Sequence, residues 1–333
     1  MRILHIVPGT DNVANGMVIA ACLLAKEQGD AEVVDLKNTD SGKVAAADEV
    51  WVHGMWLPRE WKACRWALKA GKPFVRMTHG SLSPMYLKHK GKWRKELVGP
   101  IERFFLRKAS RIIATCEEEK GWIQSYLGRR CPPVEVTDFR RFFKLQVTGN
   151  GKVGKQVRPD FPLGKAARPL HLLYLGRCHP LKGLEYLISA IHQLDPNFKC
   201  EIDKTYFAIL QSRSRNLHLP AMALAAADSP SIQLKVVSNA FGEEKEKVWE
   251  WCDVLVFPTL SENFGLVIAE ALERGKHVIT TDGAPAWGDG NDYGGRLTYL
   301  NGYLNSSREE RILLLENAIV RLHAERGNEC VSG

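Results

Sequence analysis

From its first residues the chain alternates short, unbroken apolar runs with longer stretches whose apolar positions recur every three or four residues. ILHIV (3–7), AEVVDL (31–36), DEVWVHG (48–54), KPFVRMTHG (72–80), RIIATC (111–116) and PVEVTDF (133–139) are rich in Val and Ile and continuous rather than alternating. That is the pattern of strands buried on both faces of a parallel sheet. GMVIAACLLAKEQG (16–29) between the first two reads as a helix, and helical patterns separate the later runs. The alternation lapses over 144–168, where glycine, proline and lysine replace any apolar period, and then resumes. Strands are predicted at 170–176, 231–237, 253–259 and 277–282, and helices at 181–194, 243–252 and 307–325; residues 200–230 give no assignable pattern.

Strand–helix alternation of this kind predicts an α/β chain of two Rossmann-like, doubly wound parallel-sheet domains. Their expected bounds are 1–150 and 169–305, with 151–168 as linker and 306–333 as a closing helix that packs back on the first domain. Two such halves leave a central cleft, and ligands in open α/β sheets bind beyond the carboxyl ends of the strands. Strand-to-helix turns are therefore where chemistry is expected.

Composition narrows the class. The 333 residues are 45% hydrophobic and 25% charged, enough apolar material for a sizeable core. No apolar run reaches the length of a membrane span, and MRILHIVPG reads as a buried first strand, not a signal peptide. Eight cysteines are dispersed without a C-x-x-C pair, the usage of reduced core thiols in a cytosolic protein, with no clustered ligands for structural zinc. The net charge of +8 favours an anionic partner, which nucleic acid, anionic lipid and a phosphorylated substrate would each satisfy.

Two turns carry the most chemistry. At 253–273, DVLVFPT delivers the chain to an S-E-N-F-G turn and the apolar helix LVIAEALE leaves it. The opening amides of that helix, near Phe264, Gly265 and Leu266, lack carbonyl partners and form a positive pole suited to phosphate. Glu262 precedes the helix beside Asn263, and Glu270 lies within it, able to accept two hydrogen bonds from a vicinal diol such as ribose. Upstream, LLYLGRCHPLKGLEYLISAI (172–191) places Arg177 and Lys182 on another strand-to-helix turn. A planar fork and a point charge there can grip a diphosphate and stabilise charge growing on it.

Together, F-P-T-x-x-E-N-F-G-L-V-I-A-E-A-L and G-R-x-x-x-x-K-G closely resemble the donor-site signatures of family 4 retaining glycosyltransferases. The resemblance implies the GT-B fold and transfer of a sugar from a UDP- or GDP-sugar to a hydroxyl, with anomeric retention and neither cofactor nor metal. Arg177 and Lys182 would bind the diphosphate and Glu270 the ribose. Glu262, taken as catalytic, would contact the donor sugar beside Asn263, Phe264 and Gly265. PGTDNVANGM (8–17) resembles the family's glycine loop, with Gly16 facing donor phosphate. VHGMWLP (52–58) and THGSLSPMYL (78–87) resemble segments of the lipopolysaccharide-assembly branch, making His79 the second catalytic candidate, a ligand to the transferred sugar, and His53 a weaker one. TTDGAPAW (280–287) resembles a loop that shapes the donor pocket.

A further segment, 88–108, interleaves basic and aromatic residues; Lys88, Lys90, Lys92, Trp93 and Arg94 are candidates to meet an anionic membrane or a lipid-linked acceptor. The expected partners are thus a nucleotide sugar, a surface-glycan or lipid-linked acceptor and an anionic membrane, without nucleic acid, and the expected location is cytoplasmic, at the inner face of the membrane. The sequence departs from the family pattern at VTDFRRFFKL (136–145) and over the glycine-free stretch 198–230. The second departure leaves the base of the donor unreadable and keeps a catalytically impaired sugar- or nucleotide-binding protein as the alternative, beside a related GT-B phosphorylase or epimerase. A nicotinamide oxidoreductase would need G-x-G-x-x-G on the first turn, which PGTDNVANG does not supply.

Overall fold

A computed structural model describes residues 1–9, 16–88, 91–145, 169–177, 179–202, 231–238 and 240–329. The chain forms two compact units, Met1–Phe142 and Phe143–Gly333. The expected linker, 151–168, lies outside the described residues.

The first unit is built on strands β1 (Ile3–Val7), β2 (Ala31–Asp35), β3 (Glu49–His53), β4 (Phe74–Met77), β5 (Arg111–Ala114) and β6 (Val134–Val136). They pair in parallel in the order β2-β1-β3-β4-β5-β6. Every residue of β1, β3 and β4 is buried, as continuous apolar runs require. Helices α1 (Gly16–Gln28), α2 (Ser41–Ala46), α3 (Pro58–Lys69), α4 (Pro84–Lys88), α5 (Lys92–Lys108) and α6 (Glu117–Leu127) connect or flank them. Their starts follow local chemistry: the Asp40 carboxylate accepts from Lys43 N at 2.8 Å, and Pro58 opens α3 where an amide would go unused. Leu106, Ile123 and Leu127 from the helices close over Leu4, Ile6, Val50, Val52 and Ile112 of the sheet.

The second unit repeats the plan with β7 (Leu170–Leu175), α7 (Leu184–Leu194), β8 (Lys199–Ile202), β9 (Ile232–Val237), α8 (Gly242–Trp251), β10 (Val254–Phe257), α9 (Leu266–Glu273), β11 (His277–Thr281), β12 (Leu297–Leu300) and α10 (Arg308–Glu329). The order is β12-β11-β10-β7-β9-β8, again all parallel. The sequence pattern misses β8 and β12, the two edge strands. Among the described residues each has one strand neighbour, and β8 carries Lys199 and Glu201, ion-paired at 3.1 Å, so neither shows the continuous apolar run of an interior strand. α10 packs on α7, burying Ile312, Leu315, Ile319 and Leu322. Arg311 fixes it by donating to Tyr303 O at 2.8 Å, Leu304 O at 2.7 Å and the Tyr186 hydroxyl at 3.1 Å.

Of the cysteines, Cys64, Cys116, Cys200 and Cys252 are buried thiols as expected, whereas Cys22 is exposed on α1. Among the described residues no helix is long and apolar enough to cross a membrane.

Candidate functional site

The two motifs of the second unit are brought together by strand order. β7 and β10 are neighbours, pairing Leu172 with Val254 and Leu173 with Leu255. The chain runs from β7 to one side of the sheet and from β10 to the other, so their carboxyl ends flank the topological switch point where α/β sheets bind ligands. Hydrogen bonds stitch the two turns: Leu260 N donates to Leu181 O at 2.7 Å and Thr259 Oγ1 to the same oxygen at 3.1 Å. Gly183 makes the close fit possible. Its φ is +69°, and a Cβ there would lie 2.0 Å from Pro258 O.

At this junction Lys182 Nζ lies 2.5 Å from Glu262 Oε2 and donates to Ser261 O at 2.9 Å. The ammonium has three donors, and these two contacts leave one for a ligand. Glu262 is held from both sides, its amide donating to Gly283 O at 2.8 Å and its Oε1 accepting from Asn263 N at 3.1 Å. α9 begins immediately after, with Gly265 as its cap in the left-handed region (φ +75°). The positive pole of α9 thus follows the Lys182–Glu262 pair directly along the chain.

The loop after β11 buttresses the turn. Trp287 Nε1 donates to Phe264 O at 2.5 Å, and the two rings pack at 5.2 Å between centroids. Phe264 is therefore buried. Trp287 thereby ties the TTDGAPAW loop to the S-E-N-F-G turn. Asp282 in the same loop accepts from Leu304 N at 2.9 Å, which places it in the support of the neighbouring turn.

Glu270 lies one turn inside α9, and its immediate partner is Lys245 of α8: Oε2 and Nζ are 2.7 Å apart, an ion pair whose approach lacks hydrogen-bond alignment. Nothing in the charged run EEKEK distinguishes Lys245 from its neighbours, so sequence reasoning had no signal for it. Arg177 follows β7 and is exposed.

In the first unit Gly16 is exposed at the start of α1, beyond β1; residues 10–15 of that loop lie outside the described set. His79 follows β4 on a strained backbone, φ +50°. The residues on either side of it are clamped by a buried carboxylate: Glu119 Oε1 accepts from Thr78 Oγ1 and Gly80 N, both at 2.6 Å. Its Oε2 accepts from Thr115 N at 2.8 Å and Thr115 Oγ1 at 2.9 Å. His79 Nε2 lies 2.9 Å from His53 Nδ1, which brings the two predicted histidines into contact. Burial lowers the His79 pKa to about 3 and that of His53 well below the usual imidazole range, so both rings are neutral near pH 7. The turn after β3 is fixed by fully buried Arg76, which donates to Gly54 O at 2.7 Å and to Glu102 Oε1 at 2.8 Å, while Glu102 Oε2 accepts from Trp56 N at 3.0 Å.

Of the predicted surface segment, Lys88, Lys92, Trp93 and Arg94 are exposed, and Lys90 lies outside the described residues. α5 extends the patch: Trp93, Leu97, Ile101 and Phe104 are 68%, 71%, 44% and 51% exposed. At 3.6 residues per turn they fall on one face.

Comparison with known structures assigns this architecture to the GT-B fold. HepE of Anabaena, solved in complex with UDP-glucose, matches over 100% of this chain and 99% of its own at 17% identity, with a TM-score of 0.57. The sucrose-phosphate synthase of Thermosynechococcus elongatus matches over 100% and 94% at 17% identity and a TM-score of 0.58. The family model "Glycosyl transferases group 1" matches residues 159–289 and "Glycosyl transferase 4-like domain" matches 41–137, one in each unit. The chain thus has the GT-B fold, and a glycosyltransferase domain model matches part of each unit. A D-inositol 3-phosphate glycosyltransferase of Arthrobacter sp. (strain FB24) is 27% identical over 194 residues, 52% of this chain; the match spans 39% of that relative's length.

Proposed function

We propose that the protein is a retaining glycosyltransferase that moves a sugar from a nucleotide-sugar donor to a hydroxyl of a surface-glycan or lipid-linked acceptor. The observation that carries the reading is the junction of Lys182, Glu262 and the α9 N-terminus at the switch point between β7 and β10. The Lys182 ammonium, the positive pole at the start of α9 and the glycine cap form a cradle for a diphosphate. Two glycosyltransferase domain matches and the HepE complex with UDP-glucose support the donor class.

In this reading Lys182 and Arg177 take the diphosphate and stabilise the charge that develops on it as the glycosidic bond breaks. Glu262, immobilised through both oxygens, faces the donor sugar, and His79, in the first unit, is the candidate ligand to a sugar hydroxyl. Glu270 accepts the ribose hydroxyls, which then share the carboxylate with Lys245. The cationic side chains and amides supply the positive charge at the leaving group. Hydrolysis and transfer assays with UDP-, GDP- and ADP-sugars test the reading, which fails if none is bound or turned over. Replacing Glu270 by Ala should weaken nucleotide-sugar binding about tenfold, the worth of one or two hydrogen bonds to a charged group; unchanged affinity by calorimetry removes Glu270 from the site.

The apolar face of α5 favours a lipid-linked acceptor. Trp93, Leu97, Ile101 and Phe104 are bordered by Lys92, Arg94 and Lys108, the arrangement of a helix that lies in an anionic interface. Co-sedimentation with anionic vesicles should fall as salt rises and should be lost in a Trp93→Ser, Leu97→Ser variant. Binding that ignores both changes would remove the membrane from the proposal.

A further inference from the structure

The buried polar groups of the first unit include a continuous chain that ends at His79 and whose other members the transfer reading does not use. Gln28 Oε1, at the end of α1, lies 2.7 Å from His5 Nε2. His5 Nδ1 lies 2.9 Å from His53 Nε2, and His53 Nδ1 lies 2.9 Å from His79 Nε2. The strand order makes the chain possible: His5 on β1, His53 at the end of β3 and His79 just past β4 stand on three adjacent strands. The rings are spaced evenly, 5.2 Å between centroids at both steps, tilted by 34° and 31°. His5 and His53 are each 0% exposed.

Each contact between two ring nitrogens holds one proton, and a neutral imidazole carries one N–H. Burial keeps the three rings neutral: it lowers His5 to about 4 against the pull of Glu49, while the neighbouring imidazoles and Arg76 add to the lowering at His53. An amide oxygen only accepts. His5 must therefore donate from Nε2 to Gln28, which leaves its Nδ1 bare to accept from His53 Nε2. His53 Nδ1 is then bare and accepts from His79 Nε2. The last ring in the series ends with a lone pair on Nδ1.

We propose that Gln28, His5 and His53 are positioning residues that fix the tautomer of His79, presenting its Nδ1 as a hydrogen-bond acceptor to a sugar hydroxyl. The identity of the hydroxyl's owner rests on the transfer reading; the tautomer does not. The Glu119 clamp on Thr78 and Gly80 holds the backbone on which the ring is mounted, so the relay needs to set only its proton. Reversing the amide of Gln28 would reverse every donor in the series and turn the His79 Nδ1 into a donor, so one side chain on α1 sets the polarity of a group three strands away. That dependence is what separates a relay from three packed histidines.

The test is 15N NMR of the histidine rings in the full chain at pH 8, which separates the two neutral tautomers. In the wild type His79 is expected with the proton on Nε2 and a bare Nδ1. Gln28→Met, similar in volume but without an amide, should leave the His79 ring exchanging between tautomers. It should also lower kcat for transfer about tenfold, the worth of one hydrogen bond, while leaving the donor KM within about twofold. Gln28→Glu retains an acceptor and should restore the wild-type ring pattern and rate. A wild-type His79 protonated on Nδ1, or a His79 signal that Gln28→Met does not move, overturns the relay. If the ring pattern shifts as expected in a protein that turns over no nucleotide sugar, the relay stands and the transferase reading falls.

Discussion

Lys182 shows how one residue can be assigned at two depths. In the sequence it is the lysine of a G-R-x-x-x-x-K-G turn; in the structure its ammonium is 2.5 Å from Glu262 and 2.9 Å from Ser261 O, so its side chain joins the two motifs beside the backbone bond of Leu260 to Leu181. Removing it subtracts a cation from the diphosphate cradle and strips Glu262 of its counter-ion. Lys182→Met is expected to lower kcat/KM by about 100-fold, the range for losing one electrostatic contact to a developing charge. Steady-state kinetics with the best donor from the panel would check this, and a loss under about threefold would place Lys182 outside the site. Residues that sequence reasoning missed share a property. Lys245, Trp287, Glu119, His5 and Gln28 act through partners distant in the chain, and none sits at a spacing that marks its chemistry.

At the level of elements, the strand ends decide what each turn can do, and buried charge holds two of them in place. Arg76 on β4 and Glu102 on α5 are both 0% exposed and together pin Gly54 and Trp56 of the turn after β3. Breaking such a pair by removing one member leaves an uncompensated charge in the interior. Glu102→Ala should therefore destabilise the first unit by about 3–5 kcal/mol, measured by chemical unfolding. A loss under about 1 kcal/mol would mean that Arg76 finds another counter-charge. The element pattern was legible where strands are interior: β1, β3, β7 and β10 announce themselves by apolar runs, because both faces are covered. It failed at β8 and β12, where one edge has no strand neighbour among the described residues and side chains no longer need to be apolar.

Across the whole molecule, the buried imidazoles tie stability to pH. His5, His53 and His79 have folded pKa values below the unfolded value near 6.5, so the unfolded chain takes up their protons first and stability is lost as pH falls below about 6.5. Glu60, which burial pushes up to about 7, acts in the opposite sense, because the native state keeps its proton. Near pH 5 these four groups leave the unfolded state with about two more protons, a slope of roughly 3 kcal/mol per pH unit. Unfolding free energies measured between pH 6.5 and 4.5 should show it, and His53→Gln should reduce the slope by about one proton. A flat profile over that range would show that the imidazoles are not neutral in the folded state.

The sequence by itself determined the two parallel α/β units, the strand-to-helix turns that carry the motifs, and the chemical character of Lys182, Glu262, Glu270 and His79. These follow from local rules, apolar period, glycine at tight turns and charge at helix starts, that act within a few residues. Only the tertiary structure decided which distant groups meet: Lys182 with Glu262, Glu270 with Lys245, Trp287 with the Phe264 carbonyl, and Gln28 with a line of three histidines. The reason is physical. Strand order in a parallel sheet is set by how crossovers bury both faces, and it places side by side residues whose separation along the chain carries no trace of that contact.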